Sequence, residues 1–163
     1  MSSSPTPPAL ADLASALDQV GIVVADLDAV EAGMRLVFGV EPTSRSENHY
    51  PDATHRGRAT DTRVGALFYH LFGLELEFLS PRGGDDIWQE FLDERGPGLH
   101  HVRFAVDDHA AVVDALAQRG IAVRQEGSSV RGNGVRYAYF DTTAALGFFV
   151  ETLSSPAASR PAT

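Results

Sequence analysis

The sequence predicts an α+β fold in which tandem βαβββ modules form an open, cleft-like mixed β-sheet. Three observations predict it. The stretches "LDQVGIVV" (Leu17–Val24) and "LHHVRFAV" (Leu99–Val106) are near copies: an offset of 82 carries Leu17, Gln19, Val20, Val24, Asp26 and Val30 onto Leu99, His101, Val102, Val106, Asp108 and Val112. After each copy comes a segment with apolar spacing close to 3.6, and after that a set of shorter strand signals. Gly39 and Gly120 stand where the C-caps of those two helices belong.

Taken in order, residues 1–15, opening "MSSSPTPPALADL", have little to bury and read as a disordered tail. A strand from Leu17 leads to a helix at Leu27–Phe38. The polar stretch Thr43–Thr62 then makes the first half eight residues longer than the second. "RVGALFYHLFG" and "LELEFLSP" read as a hairpin pivoting at Phe72–Gly73. "DDIWQEFLDERGPG" is a linker helix at about 84–96, stopped by Gly96, Pro97 and Gly98, with Trp88 in the core. The second module repeats strand and helix (His109–Arg119), and "GVRYAYFD" pairs with "GFFVETL" around "TTAAL". "GSSVRGNG" lacks the lysine and flanking elements of a phosphate loop and reads as a connection. The expected organisation is a single domain over 16–154, with modules at about 16–81 and 98–154, and a second disordered tail at 155–163.

Composition excludes several classes of partner. A formal charge of −9 and a pI near 5.0 leave no basic footprint for nucleic acid or an anionic membrane. Without cysteine there is neither a disulfide framework nor a thiolate site, so any metal must take nitrogen or oxygen ligands. No apolar run approaches the roughly 20 residues of a membrane span, and the opening lacks the pattern of a signal peptide. A cytoplasmic protein acting on a small molecule is expected.

Strand alternation selects the candidate site. In "LELEFL", Glu75 and Glu77 share one face while Leu74, Leu76 and Phe78 share the face that must cover a helix. The same rule groups Glu151 with Phe149 and Leu153, and His101 with Leu99 and Arg103; it sends His100 to the opposite face. Glu77 and Glu151 are equivalent at an offset of 74, and Gln19 and His101 at 82. Equivalent positions in a repeated fold point into equivalent places, so Gln19, Glu77, His101 and Glu151 converge between the modules. Arg103 suits a carboxylate or phosphate partner, or a salt bridge to Glu75. Of Tyr69 and His70, on the strand before Glu77, one points into the cleft and the other into the helix layer.

These features resemble the vicinal oxygen chelate superfamily, the glyoxalase, bleomycin resistance and dioxygenase group. Within it, the run from "LEFLSP" through "GLHHVRFAVDD" is most similar to methylmalonyl-CoA epimerases. The resemblance implies one divalent ion held by Gln19, Glu77, His101 and Glu151, with Zn²⁺, Co²⁺, Mn²⁺, Mg²⁺ and Ni²⁺ as candidates. The Gln, Glu, His, Glu set is similar to that of eukaryotic-type glyoxalase I, whereas the epimerases carry His where this chain has Gln19. An amide oxygen in place of imidazole tilts the preference toward the harder ions.

The implied chemistry is that of a metal-dependent isomerase or epimerase: a carbonyl is polarised and a carboxylate, Glu151 or Glu77, moves a proton on the adjacent carbon. The epimerase pattern also implies a second acid just before "RVGALFY", for which Asp61 is the nearest candidate. Arg103, His70 and Tyr69 are the expected substrate-binding residues, and a homodimer is expected. The alternatives are a glyoxalase I-like lyase and a non-enzymatic small-molecule binding or resistance protein. An extradiol dioxygenase is disfavoured, since its iron site requires two His and one carboxylate.

Overall fold

The computed structural model describes residues 6–154. The elements run α1 (Leu10–Leu13), β1 (Ala14–Val23), α2 (Leu27–Phe38), β2 (Ser44–His55), β3 (Arg58–Leu71), β4 (Leu74–Pro81), α3 (Ile87–Arg95), β5 (Gly98–Val106), α4 (His109–Ala117), β6 (Val123–Ser128), β7 (Arg136–Phe140), α5 (Thr143–Leu146) and β8 (Phe149–Ser154). Caps bound the longer helices. Asp26, Asp86 and Asp108 accept hydrogen bonds from first-turn amides of α2, α3 and α4, and Gly39 ends α2 in the left-handed region at φ 67°. Among the described residues no helix is long and apolar enough to cross a membrane.

The two modules are β1-α2-β2-β3-β4 and β5-α4-β6-β7-β8, and α3 links them. Their strands close into one barrel in the order β1-β4-β3-β2-β6-β7-β8-β5, not the open cleft expected from sequence. The difference lies in Thr43–Thr62. Most of this stretch is strand: β2 is 12 residues long and turns at Arg56 and Gly57 (φ 51° and 75°) into β3. Its far end reaches β6, where Thr54 pairs with Glu126 and His55 with Gln125. The eight extra residues of the first half therefore lengthen a hairpin, and that hairpin closes the ring.

Pseudo-symmetry governs the other seams. β1 and β5 pair antiparallel, while β1 with β4 and β5 with β8 pair parallel. Gln19 stands opposite Glu75 just as His101 stands opposite Phe149; Gly21 stands opposite Glu77 just as Arg103 stands opposite Glu151. Inward side chains of the barrel, with Ile87, Trp88 and Phe91 of α3 packed on one end, form one core. Two further cores lie outside the sheet, one under α2 around Leu27, Met34, Leu67 and Tyr69, the other under α4 around Val112, Leu116, Ala138 and Phe140.

Part of the expected N-terminal tail, residues 1–15, is structured. Residues 1–5 and 155–163 fall outside the described residues, but Leu10 and Leu13 of α1 pack into the core under α4, and Arg119 donates to the carbonyls of Pro7 and Pro8. Two leucines spaced three apart supply enough apolar surface to hold one helical turn there.

Candidate metal centre

Four adjacent strands, β4-β1-β5-β8, set the site in two rows across the inner wall. One row is Glu77, Gly21, His101 and Phe149; the other is Glu75, Gln19, Arg103 and Glu151. His101 occupies the middle because nothing occupies Gly21: a Cβ on that glycine would lie 1.9 Å from the imidazole Cε1. The ring rests against bare backbone, and its Nε2 faces three oxygens. Glu151 Oε2 is 3.0 Å away, Gln19 Oε1 3.2 Å and Glu77 Oε2 3.4 Å.

Ligand atoms of Glu77, His101 and Glu151 all lie within 4.8 Å of one another, and the three residues are buried. Glu151 Oε2 is close to His101 but out of line for a hydrogen bond, so this buried oxygen has no hydrogen-bond partner. Two carboxylates, one of them with a buried oxygen in no well-aligned hydrogen bond, one imidazole and one amide oxygen fit a divalent cation. In the protein alone, burial opposes a charge on His101, but Glu151 and Glu77 outweigh it and raise the imidazole to about 9.

A second layer fixes these groups. Glu75 Oε1 accepts from Gln19 Nε2 at 2.6 Å, which turns the amide so that Oε1 faces the cluster. Arg103, almost fully buried, donates to Asp18 at 2.8 Å and lies 3.4 Å from Glu75, the salt bridge expected of it. Burial disfavours its charge, yet Glu151, Asp18 and Glu77 hold the guanidinium protonated.

The small cavity beside the cluster, open to solvent, is lined by Tyr50, Phe68, Trp88, Arg103, Tyr137 and Tyr139 among others. Burial pushes the hydroxyls of these three tyrosines above the ordinary phenol range, and Glu151 adds to the effect.

The other residues singled out in the sequence lie elsewhere. Asp61 is exposed on β3 and paired with His49 at 2.5 Å, so it is not a cavity acid; the inward positions there are Val64, Ala66 and Phe68. Tyr69 is the member of its pair that turns to the helix layer, buried under α2, so it does not line the cavity. His70 is largely exposed, lies 3.5 Å from Glu75 Oε2 and is not among the residues that line the cavity. Trp88 is fully buried, as expected.

His100 departs most from expectation. Between the pairs Gly21↔His101 and Ile22↔Leu99 it has no partner on β1, which makes it the extra residue of a β-bulge. The bulge breaks the alternation and leaves His100 beside His101, fully buried, with the two Nδ1 atoms 2.9 Å apart. Burial, then the neighbouring His101 charge, keeps His100 neutral, well below the usual imidazole range. Asp18 is the matching bulge residue of β1, between Leu17↔Phe104 and Gln19↔Arg103. The two bulge residues are themselves equivalent, since the same offset of 82 relates Asp18 to His100.

Comparison with known proteins agrees with this geometry. Residues 18–139 match the Glyoxalase/Bleomycin resistance protein/Dioxygenase superfamily. Ethylmalonyl-CoA/methylmalonyl-CoA epimerase of Cereibacter sphaeroides is 30% identical over 113 residues, 68% of this chain and 75% of that protein. The uncharacterized protein YqjC of Bacillus subtilis is 22% identical over 135 residues, 83% of this chain and 89% of its own. Among solved structures, methylmalonyl-CoA epimerase from Mycobacterium tuberculosis superposes with a TM-score of 0.64 at 23% identity, covering 89% of this chain and 90% of that one.

Proposed function

Because the chain belongs to the Glyoxalase/Bleomycin resistance protein/Dioxygenase superfamily, we propose that it is a metal-dependent enzyme of the isomerase type, moving a proton on the carbon beside the carbonyl of a small acyl thioester or related acid. The observation that carries this reading is the buried Glu77, His101 and Glu151 group, with Gln19 Oε1 turned toward it. A divalent ion held by these four residues would supply Lewis-acid polarisation of the carbonyl. Three oxygen donors and one nitrogen favour a hard ion such as Mg²⁺, Mn²⁺ or Co²⁺.

The chain's own groups divide the remaining work. Glu151 is the proposed base, since its Oε2 is buried with no hydrogen-bond partner and can accept a proton. Glu77 approaches His101 from the neighbouring parallel pair and is the second proton carrier. Arg103 offers the cavity a fixed positive charge for a substrate carboxylate. Tyr50, Tyr137 and Tyr139 stay protonated as hydroxyl donors, and with Trp88 and Phe68 they keep bulk water from the reacting carbon.

The names of its relatives make 2-substituted acyl-CoA thioesters the first substrates to test. The apolar inner face of β3 favours a second reading. Val64, Ala66 and Phe68 stand there without a carboxylate, leaving only the cluster's own two to carry protons, which also suits a glyoxalase I-like lyase.

Solvent deuterium entering the carbon beside the carbonyl, read by mass spectrometry in the presence of Co²⁺ or Mn²⁺, tests the proposal. Exchange with methylmalonyl-CoA supports the leading reading, and exchange confined to a hemithioacetal supports the second. No exchange with either class would place the chain among the non-enzymatic binding members.

A further inference from the structure

We propose that His100 is a positioning residue, whose Nδ1 accepts a hydrogen bond from the Nδ1–H of His101 and so keeps His101 Nε2 as the nitrogen presented to Gln19, Glu77 and Glu151. The inference rests on the reading of His101 as a metal ligand, and geometry carries it. The two Nδ1 atoms are 2.9 Å apart and both rings are fully buried, so no water competes for the contact. His101 Nε2 faces three oxygens, whereas its Nδ1 contact is the His100 nitrogen.

An imidazole can bind a cation through Nε2 only if that nitrogen has its lone pair free, and in a neutral ring this requires the proton on Nδ1. The group that accepts the Nδ1 proton therefore selects the tautomer. His100 is brought within reach by the β-bulge of β5, and Phe91, Tyr139 and Phe149 hold its ring with centroids at 5.0–5.4 Å. With Nδ1 as acceptor, the proton of His100 sits on its buried Nε2, and the backbone of Ile87 interacts favourably with a proton on this ring. A residue kept only for packing needs no ring nitrogen here, since a phenylalanine would fill the same aromatic box.

Two variants separate positioning from packing. His100→Phe fills the box but accepts nothing; His100→Asn is smaller and retains an acceptor oxygen. Calorimetric titration with Co²⁺ or Zn²⁺ alone should give a 10- to 100-fold weaker Kd for His100→Phe, by the usual scale of such outer contacts, and a much smaller loss, roughly threefold, for His100→Asn. In wild-type protein loaded with Zn²⁺, ¹⁵N NMR should find the His101 proton on Nδ1, and it should stay there in His100→Asn. Equal loss of affinity in both variants, or unchanged affinity in His100→Phe, overturns the proposal.

Should His100→Phe fail to fold, the wild-type spectrum decides: a His101 Nδ1 without a proton in the Zn²⁺-loaded protein rejects the role. If the wild-type protein binds neither ion, it is the metal-centre reading that fails. The spectrum of the metal-free protein above pH 9, where the His101 ring is neutral, then still reports whether its one proton sits on Nδ1 and is donated to His100; a proton on Nε2 instead overturns the proposal, and a proton on Nδ1 upholds the tautomer lock.

Discussion

The two halves of the barrel share a backbone and divide the chemistry unequally. Glu77 and Glu151 are the same residue at equivalent positions, but Gln19 answers to His101, Gly21 to Arg103 and Glu75 to Phe149. Each difference has a steric or electrostatic reason. The imidazole of His101 needs the volume that Gly21 leaves empty. Beside the amide of Gln19 stands Arg103, whose charge Asp18 and Glu75 balance. The amide is aimed by a carboxylate, Glu75, and the imidazole has another imidazole, His100, against its far nitrogen. A duplicated fold can thus hold one asymmetric centre by altering the supports of its ligands as much as the ligands themselves.

The largest effect expected from breaking this asymmetry is that of His101→Ala, which should abolish stoichiometric metal measured by elemental analysis of protein purified without chelator. Glu151→Gln, which keeps a ligating oxygen but cannot take a proton, should retain the fold and slow deuterium exchange by about 10²–10⁴. Gly21→Ala tests the steric half of the comparison. The added methyl collides with the His101 ring, so the variant should lose about 1–3 kcal/mol of stability in urea titration and most of its metal affinity. The same methyl at Gly33, where nothing lies within 4 Å, should do neither.

A gentler probe is pH. In the metal-free protein the His101 imidazole is raised to about 9 from 6.5, so its contribution to stability is fully present below pH 6.5 and is lost as pH rises through about 9. That contribution is on the order of 3 kcal/mol at about 1.4 kcal/mol per pKa unit. Bound metal displaces the Nε2 proton, so the loaded protein should gain relative stability over the same interval, seen as diverging melting temperatures. The smallest effect is expected from Asp61→Asn. The side chain is exposed on β3 and bound to His49, so exchange should stay within about twofold of wild type; a large loss would return Asp61 to the mechanism.

Much of the centre was legible because repetition and alternation act together. Leu17/Leu99 and Val24/Val106 fix the register of the repeat, and within it Gln19 and His101, like Glu77 and Glu151, are inward polar residues at matching places. Alternation failed at His100 for a local reason: a β-bulge depends on the partner strand, and nothing in "LHHV" marks which histidine lacks a partner. The same holds for Asp18. Barrel closure was hidden differently. The inward positions of β2 include Asn48, Tyr50 and His55, a mixed set without the apolar period that marks a half-buried strand. Tyr69 and His70 could be assigned only once the pairing of Phe68 with Glu77 was known.

The seam between β2 and β6 has a consequence for access. Eight residue pairs join β1 to β5, but only two join β2 to β6, and side chains brace the shorter contact: Glu90 of α3 meets His55, Arg56 and Arg124, and Gln125 accepts from the amide of Ile87. A ring parts first where the fewest main-chain bonds cross it, and charged braces weaken as salt rises. Amide hydrogens of Thr54 and His55 should therefore exchange sooner than those of Val20 and Val102, and sooner still in salt. This clasp lies diametrically opposite the strands that carry Gln19 and His101, so the barrel can open at this seam while the wall that carries the Glu77, His101 and Glu151 cluster stays shut.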